Sequence, residues 1–319
     1  MYRAFLGIVE RRTGDLIRLA TGGSGILPAR ALLPDLVERL TDETCRAARH
    51  VLRMCIRAVD YCPPVDVTFG EFLRALVTAD VAQVPDDRFG YRVAFLEAFR
   101  RYGLLPRSLR TVSVDTLRWR EWPHAQPAWL RPAVDALGID LTRRLDRAEI
   151  FHLSEMRRRE FGDVLRKQAR DAEACQLLGL QFGLGRYTRL NGSPQRGTSF
   201  DVDNLRVAKR VRPDGDLSVE VLVVIRQRRS ELLAGQDDPR RFWFRGGSTL
   251  VIDPFGPDGA AIKFAVLKPI TSFERLQRER SFRTGEGGED ASSYFDQGGE
   301  AGWAAREPFA VMHATRWSS

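Results

Sequence analysis

Between Tyr2 and Tyr102 the apolar positions recur mostly at steps of three and four, the spacing that places side chains on one face of a helix. Tyr2, Leu6, Val9, Leu16, Ile17 and Ala20 predict a first helix over 2–20; no capping residue precedes it, so it reads as an element entered midway. Gly22-Gly23-Ser24-Gly25 interrupts the pattern. With no Lys-Ser/Thr after it and no convincing strand before it, this run fits neither phosphate-loop fingerprint and reads as a flexible connector. Pro34 suits the first position of a long second helix, whose apolar stripe is Cys45, Ala48, Leu52, Cys55 and Val59 and whose end is Cys62-Pro63-Pro64. Thr68-Phe69-Gly70-Glu71 has the form of a capping box and opens a third helix with Phe69, Phe72, Leu73, Leu76 and Val77 apolar. Beyond Pro85-Asp86-Asp87 another helix buries Tyr91, Phe95, Ala98, Phe99 and Tyr102, and Gly103 with Pro106 closes it.

The pattern then thins. Arg110 to Trp119 is ambiguous, and the prolines of Trp122-Pro123-His124-Ala125-Gln126-Pro127 forbid a continuing helix, which predicts a linker and a domain boundary near 120. Charges dominate from Asp140 to Asp171, where Leu141, Leu145, Ile150, Leu153, Phe161, Val164 and Leu165 supply the apolar side of one or two helices. After Ser199 the period changes to two. Leu217, Val219, Val221, Val223 and Ile225 alternate with Ser218, Glu220, Leu222 and Val224, and Pro213-Asp214-Gly215-Asp216 turns the chain back from a strand over 201–211. A second pair runs from Phe242 to Asp253 and, after Pro257-Asp258-Gly259, through Ile262, Phe264 and Val266. Thr271-Ser272-Phe273-Glu274 has capping-box form and opens a short helix to about Phe282; Gly285 to Gly302 is rich in Gly, Glu and Ser and is expected to be disordered. The predicted fold class is α+β: a helical bundle over 1–119, a linker and charged helical connector over 120–198, an antiparallel β-domain with a short helix over 199–283, and a tail over 284–319.

Composition adds limits to this picture. At 319 residues and 43% hydrophobic content the chain can bury a sizeable core. No stretch reaches the ~18 uninterrupted apolar residues of a membrane helix. Cys45, Cys55, Cys62 and Cys175 have no paired spacing, so reduced thiols and a cytoplasmic location are expected. The formal charge of +8 invites an anionic partner. Only Lys167, Lys209, Lys263 and Lys268 are lysine, however, and the arginines are spread through every segment among acids, as in Glu155-Met156-Arg157-Arg158-Arg159-Glu160. A solvated, Arg-rich surface accounts for this better than nucleic-acid binding.

Catalytic motifs are sparse. A helical zinc hydrolase needs H-E-x-x-H, because two imidazoles four residues apart reach one metal while the Glu activates water. His50, His124, His152 and His313 stand nowhere four apart, and His50 lies five residues from both Cys45 and Cys55, off their shared face. His50 reads as a helix-surface residue. No G-x-S-x-G elbow is present, and Cys62 beside two prolines reads as a turn thiol. Asp86-Asp87, or Glu71 with Asp80, could be imagined as an acid/base pair, but capping and solvation explain them more simply. Arg245-Gly246-Gly247 permits either a β-bulge with Trp243 packed on the sheet or a peptide groove beside Phe242, Trp243 and Phe244, the bulge being favoured. No catalytic, cofactor-binding or metal-binding residue is therefore assigned.

One resemblance bears on these elements. Thr68-Phe69, Arg74-Ala75, Ala79-Asp80, Ala98-Phe99 and Gly103 resemble the closing helices of thermolysin-like (gluzincin) zinc metallopeptidases. The run from Met54 through Cys62-Pro63-Pro64 to Pro106, and later Phe244-Arg245-Gly246-Gly247-Ser248-Thr249-Leu250, resemble a group of bacterial gluzincin-like proteins. The resemblance covers most of residues 1–282. It implies that the helical bundle is the C-terminal lobe of such a fold, that zinc belongs to a longer homologue, and that the zinc-site residues lie upstream of Tyr2. On this reading the chain is a truncated or degenerate relative, not catalytically competent as it stands, whose partner is a missing N-terminal catalytic half. The alternatives are a non-enzymatic interaction module and, more weakly, non-specific nucleic-acid binding.

Overall fold

A helix that starts on proline needs no amide there, and α2 (Pro34–Asp60) begins with Pro34 at its first position. Against it, in a computed structural model, pack α1 (Tyr2–Ala20) and α3 (Phe69–Gln83), and α4 (Tyr91–Arg101) packs on α1 and α3. The structure describes residues 1–27, 32–107, 109–123, 125–142, 145–168, 176–181, 187–188, 200–211, 215, 217–233 and 240–285. The Gly285–Gly302 stretch expected to be disordered thus lies, Gly285 apart, outside the described residues, as do His124, Cys175 and His313.

Local signals set several boundaries. Thr68 Oγ1 accepts from the Glu71 amide and the Glu71 carboxylate accepts from the Thr68 amide, the reciprocal box predicted for α3. Asp87 accepts from the amides of Tyr91 and Arg92 and so starts α4, while Gly103, at φ +67°, takes the left-handed conformation that ends it. The ambiguous 110–119 stretch holds a single turn, α5 (Val114–Leu117), capped by Ser113. Further on come α6 (Leu130–Asp135), α7 (Arg147–Gln168) and α8 (Phe273–Thr284). The cap of α8 is Ser272, one residue later than the predicted Thr271, so its third helical residue is Arg275 and Glu274 falls out of box register.

The strands are β1 (Tyr187–Thr188), β2 (Phe200–Val211), β3 (Leu217–Leu232), β4 (Arg241–Gly256) and β5 (Gly259–Lys268). The sheet runs β1-β3-β4-β5, with β2 also on β3. β1 is antiparallel to β3, Tyr187 opposite Arg229, and the short β2–β3, β3–β4 and β4–β5 connections make those pairs antiparallel too. The fold is mixed α and β, as the change of period indicates. The alternation holds in β5, where Ile262, Phe264 and Val266 are buried. It fails in β3, where Val219, Glu220, Val221, Leu222 and Val223 are all buried, because both faces are covered there.

Two compact units divide the chain: Met1–Gln126 with Arg206–Val223 and Thr249–Val266, and Pro127–Leu205 with Val224–Ser248 and Leu267–Ser319. Strands β2 to β5 contribute to both. The core of the first joins Ile8, Met54, Tyr61, Leu73, Leu76, Phe95 and Phe99 of the helical segment to Leu222, Val251 and Phe264. The predicted linker is not free: Glu121 bridges to Phe264, Trp122 N donates to Lys263 O at 2.8 Å, and Gln126 exchanges hydrogen bonds with Ile262. In the second unit Trp129 meets Phe161 edge-on at 6.2 Å, and Phe242, Phe244, Ile270 and Leu276 form a smaller cluster.

Candidate functional site

The faces of α2 differ in chemistry, and the buried one is not the stripe that its spacing suggests. Ala47, Met54 and Ala58 are buried, whereas Cys45, Ala48, Leu52 and Val59 are exposed and Cys55 is half-buried. With 3.6 residues per turn, the two rows lie about 130° apart, and small residues at 47 and 58 let neighbouring elements approach closely. Val37, Leu52, Ile56 and Val59 are left 45%, 59%, 59% and 65% exposed. The same displacement affects α1: Ala4, Ile8 and Thr13 are buried, while Tyr2, Leu6 and Ala20 are exposed.

A third face of α2 is polar and borders a cavity of about 440 Å3 lined by His50, Arg53 and Arg57, with Asp80 and Gln83 of α3, Arg210 of β2 and Glu220 of β3. His50 is half-buried, not a free surface residue: its ring stacks on Tyr91 at 4.2 Å and its Nε2 lies 3.0 Å from Asp80 Oδ1. The other carboxylate oxygen of Asp80 accepts from Arg92 Nε at 2.7 Å, and Arg92 also donates to the Val84 and Pro85 carbonyls near the end of α3. Asp80 and Arg92 are both buried, so each charge is matched. Glu71 and Asp87, by contrast, do the capping work expected of them.

Behind this lies a second charge cluster. The Asp60 side chain is 2% exposed and pairs with Arg57, Arg206 and Arg210; that of Glu220 is 3% exposed and pairs with Arg210 at 3.1 Å and Lys263 at 3.3 Å. The Tyr61 hydroxyl donates to both Glu220 oxygens at 3.1 Å. Burial first, and then the Glu220 charge, push the Tyr61 phenol far up, so it stays a donor. Burial lowers Arg57 and Arg206 from the usual guanidinium range, and the like charge of Arg57 lowers Arg206 further. Arg210 Nε and Nη2 are buried without a hydrogen-bond acceptor among the described residues.

None of these charged residues was singled out from sequence except His50 and Asp80. A signal existed for Glu220, an acid inside the apolar run Val219 to Val223. The remaining candidates lie elsewhere: His152 is exposed on α7 and Cys62 is half-buried with its thiol on the Ala58 carbonyl at 3.2 Å. Gly246 and Gly247 are buried; a Cβ at 246 would sit 2.6 Å from the Ile270 backbone, and one at 247, where φ is +144°, 2.0 Å from Ile225 O. Their purpose is close backbone approach within the fold, while Trp243 carries the Arg228 guanidinium over its ring at 4.5 Å. Among the described residues no group of three or more His, Cys, Asp or Glu could hold a metal ion, and His50 is engaged by Asp80 and Tyr91. No described helix is long and apolar enough to cross a membrane. No protein-family model, curated protein or solved structure matches this chain.

Proposed function

We propose that this chain is a non-catalytic lobe that docks a second polypeptide through α2, and that the second polypeptide is the zinc-bearing half of a gluzincin-type peptidase. The supporting observation is the exposed row Val37, Leu52, Ile56 and Val59, on the same helix whose Ala47, Met54 and Ala58 are packed inside. A soluble helix ordinarily turns its larger aliphatic residues inward, and contiguous exposed apolar surface marks a place of association. Covering these four half-exposed side chains would contribute roughly 3–7 kcal/mol, comparable with the stability of a small domain. The resemblance of 54–106 to a peptidase lobe names the kind of segment that would cover them. Its unpaired cysteines suit a reducing, cytoplasmic setting.

The test compares the chain with the double variant Leu52→Asp, Ile56→Asp by light scattering after gel filtration and by binding of a hydrophobic dye. The parent is expected to self-associate or bind dye and the variant to do neither, since both substitutions sit on exposed positions and leave the core intact. Elemental analysis should find no stoichiometric zinc in the purified chain, and short peptides should survive incubation with it. A monodisperse parent that ignores the dye refutes docking through α2; one tightly held zinc per chain refutes the non-catalytic reading.

A further inference from the structure

The polar cleft and the apolar row lie on different faces of α2, so what the cleft does stands apart from docking. Its charge does not balance. Asp80 is matched by Arg92, which leaves Arg53, Arg57 and Arg210 of the lining, with Arg206 and Lys263 beside them outside it, facing Asp60 and Glu220 among the described residues. Among the described residues of this cluster, five cations stand against two buried carboxylates. Such an excess is costly within a partly desolvated cluster, where burial first and then the like charge of Arg57 lower Arg206. Arg210 adds a buried Nε with no acceptor among the described residues, and its Nη2 comes no nearer to Asp60 than 3.7 Å.

We infer that this cleft, walled by His50, Arg53, Arg57 and Arg210, binds a small organic dianion of the phosphomonoester class. Three guanidinium groups offer planar forks matched to tetrahedral oxyanions, and a dianion offsets most of a surplus of three positive charges where a monocarboxylate would leave two. The volume of about 440 Å3 exceeds what a bare phosphate group fills and lies in the range of small-molecule sites. Met54, Ala82 and Val84 line the same cavity and provide apolar contact for the body that carries the phosphoryl group. His50, held by Asp80 and stacked on Tyr91, supplies a ring fixed in place at the wall. No chemical step is implied; the assignment is of a binding site.

Titration calorimetry on the full chain at physiological salt tests this, with phenyl phosphate, inorganic phosphate and succinate as probes. Phenyl phosphate should bind saturably at one per chain, inorganic phosphate about 3-fold to 10-fold more weakly because it leaves the apolar wall uncovered, and succinate more weakly still. Arg53→Met should weaken phenyl phosphate about 10-fold. Arg53 is exposed, which keeps the folding of that variant out of question. Arg49→Met removes an equal charge from an exposed position that does not line the cavity, and should change affinity less than about 2-fold. Equal loss in the two variants would reduce the effect to diffuse charge and overturn the site. So would the absence of saturable binding, or tighter binding of succinate than of phenyl phosphate.

Discussion

Replacing Glu220 by Gln removes one charge from the most enclosed part of the first unit while nearly preserving shape. The carboxylate now faces Arg210 at 3.1 Å and Lys263 at 3.3 Å and accepts from Tyr61 at 3.1 Å on each oxygen. A glutamine can still accept from Tyr61, but Lys263 loses its counter-charge, Arg210 keeps only the more distant Asp60, and the surplus of positive charge grows. Breaking a buried pair from one side costs about 3–5 kcal/mol, because the abandoned charge stays desolvated. For a unit of this size that corresponds to a melting temperature lower by roughly 6–20 °C. Circular dichroism melts and urea titrations of parent and variant at pH 7 give the loss. The double variant Glu220→Gln, Arg210→Met should recover at least about 1 kcal/mol relative to the additive sum, since both members of the pair then go together. A single variant within about 0.5 kcal/mol of the parent, or a strictly additive double variant, would show that Glu220 does not hold the cluster together.

Gly247→Ala is expected to cost more than about 3 kcal/mol, since it combines φ of +144° with a Cβ placed 2.0 Å from the Ile225 carbonyl oxygen; a melting curve superimposable on the parent's would refute the close approach. Burial, and secondarily Glu71, push the Cys62 thiol up to about 11, so iodoacetamide at pH 8 should modify exposed Cys45 well before Cys62, as read by peptide mass spectrometry. The same raised pKa has a sign for stability. The folded state keeps the Cys62 proton after the unfolded chain has released its own, so this contribution is complete below the ordinary thiol range and is lost as pH rises toward 11. Urea midpoints of the parent should fall more steeply over that window than those of Cys62→Ala, and parallel profiles would contradict the shift.

Interactions spanning only a few residues were legible in the amino-acid order. Pro34 at the head of α2, the Thr68–Glu71 box, the Gly103 terminator and the alternation of Ile262, Phe264 and Val266 depend on neighbours one to four positions away. Which face of α2 is buried did not follow from periodicity, because two rows of equal period exist on it. The Ala47, Met54 and Ala58 row prevails where α1 and α3 come close, leaving the row of larger side chains outside. His50 looked solvent-facing for the same reason: its partners Asp80 and Tyr91 arrive from other helices. The cleft was further out of reach still. Tyr61 and Glu220 stand 159 positions apart, and Asp60 meets Arg206 and Arg210 only once β2 has returned to the end of α2. A charge in sequence carries no record of whether it will be solvated or paired; that is decided when folding removes water and brings distant cations around Asp60 and Glu220.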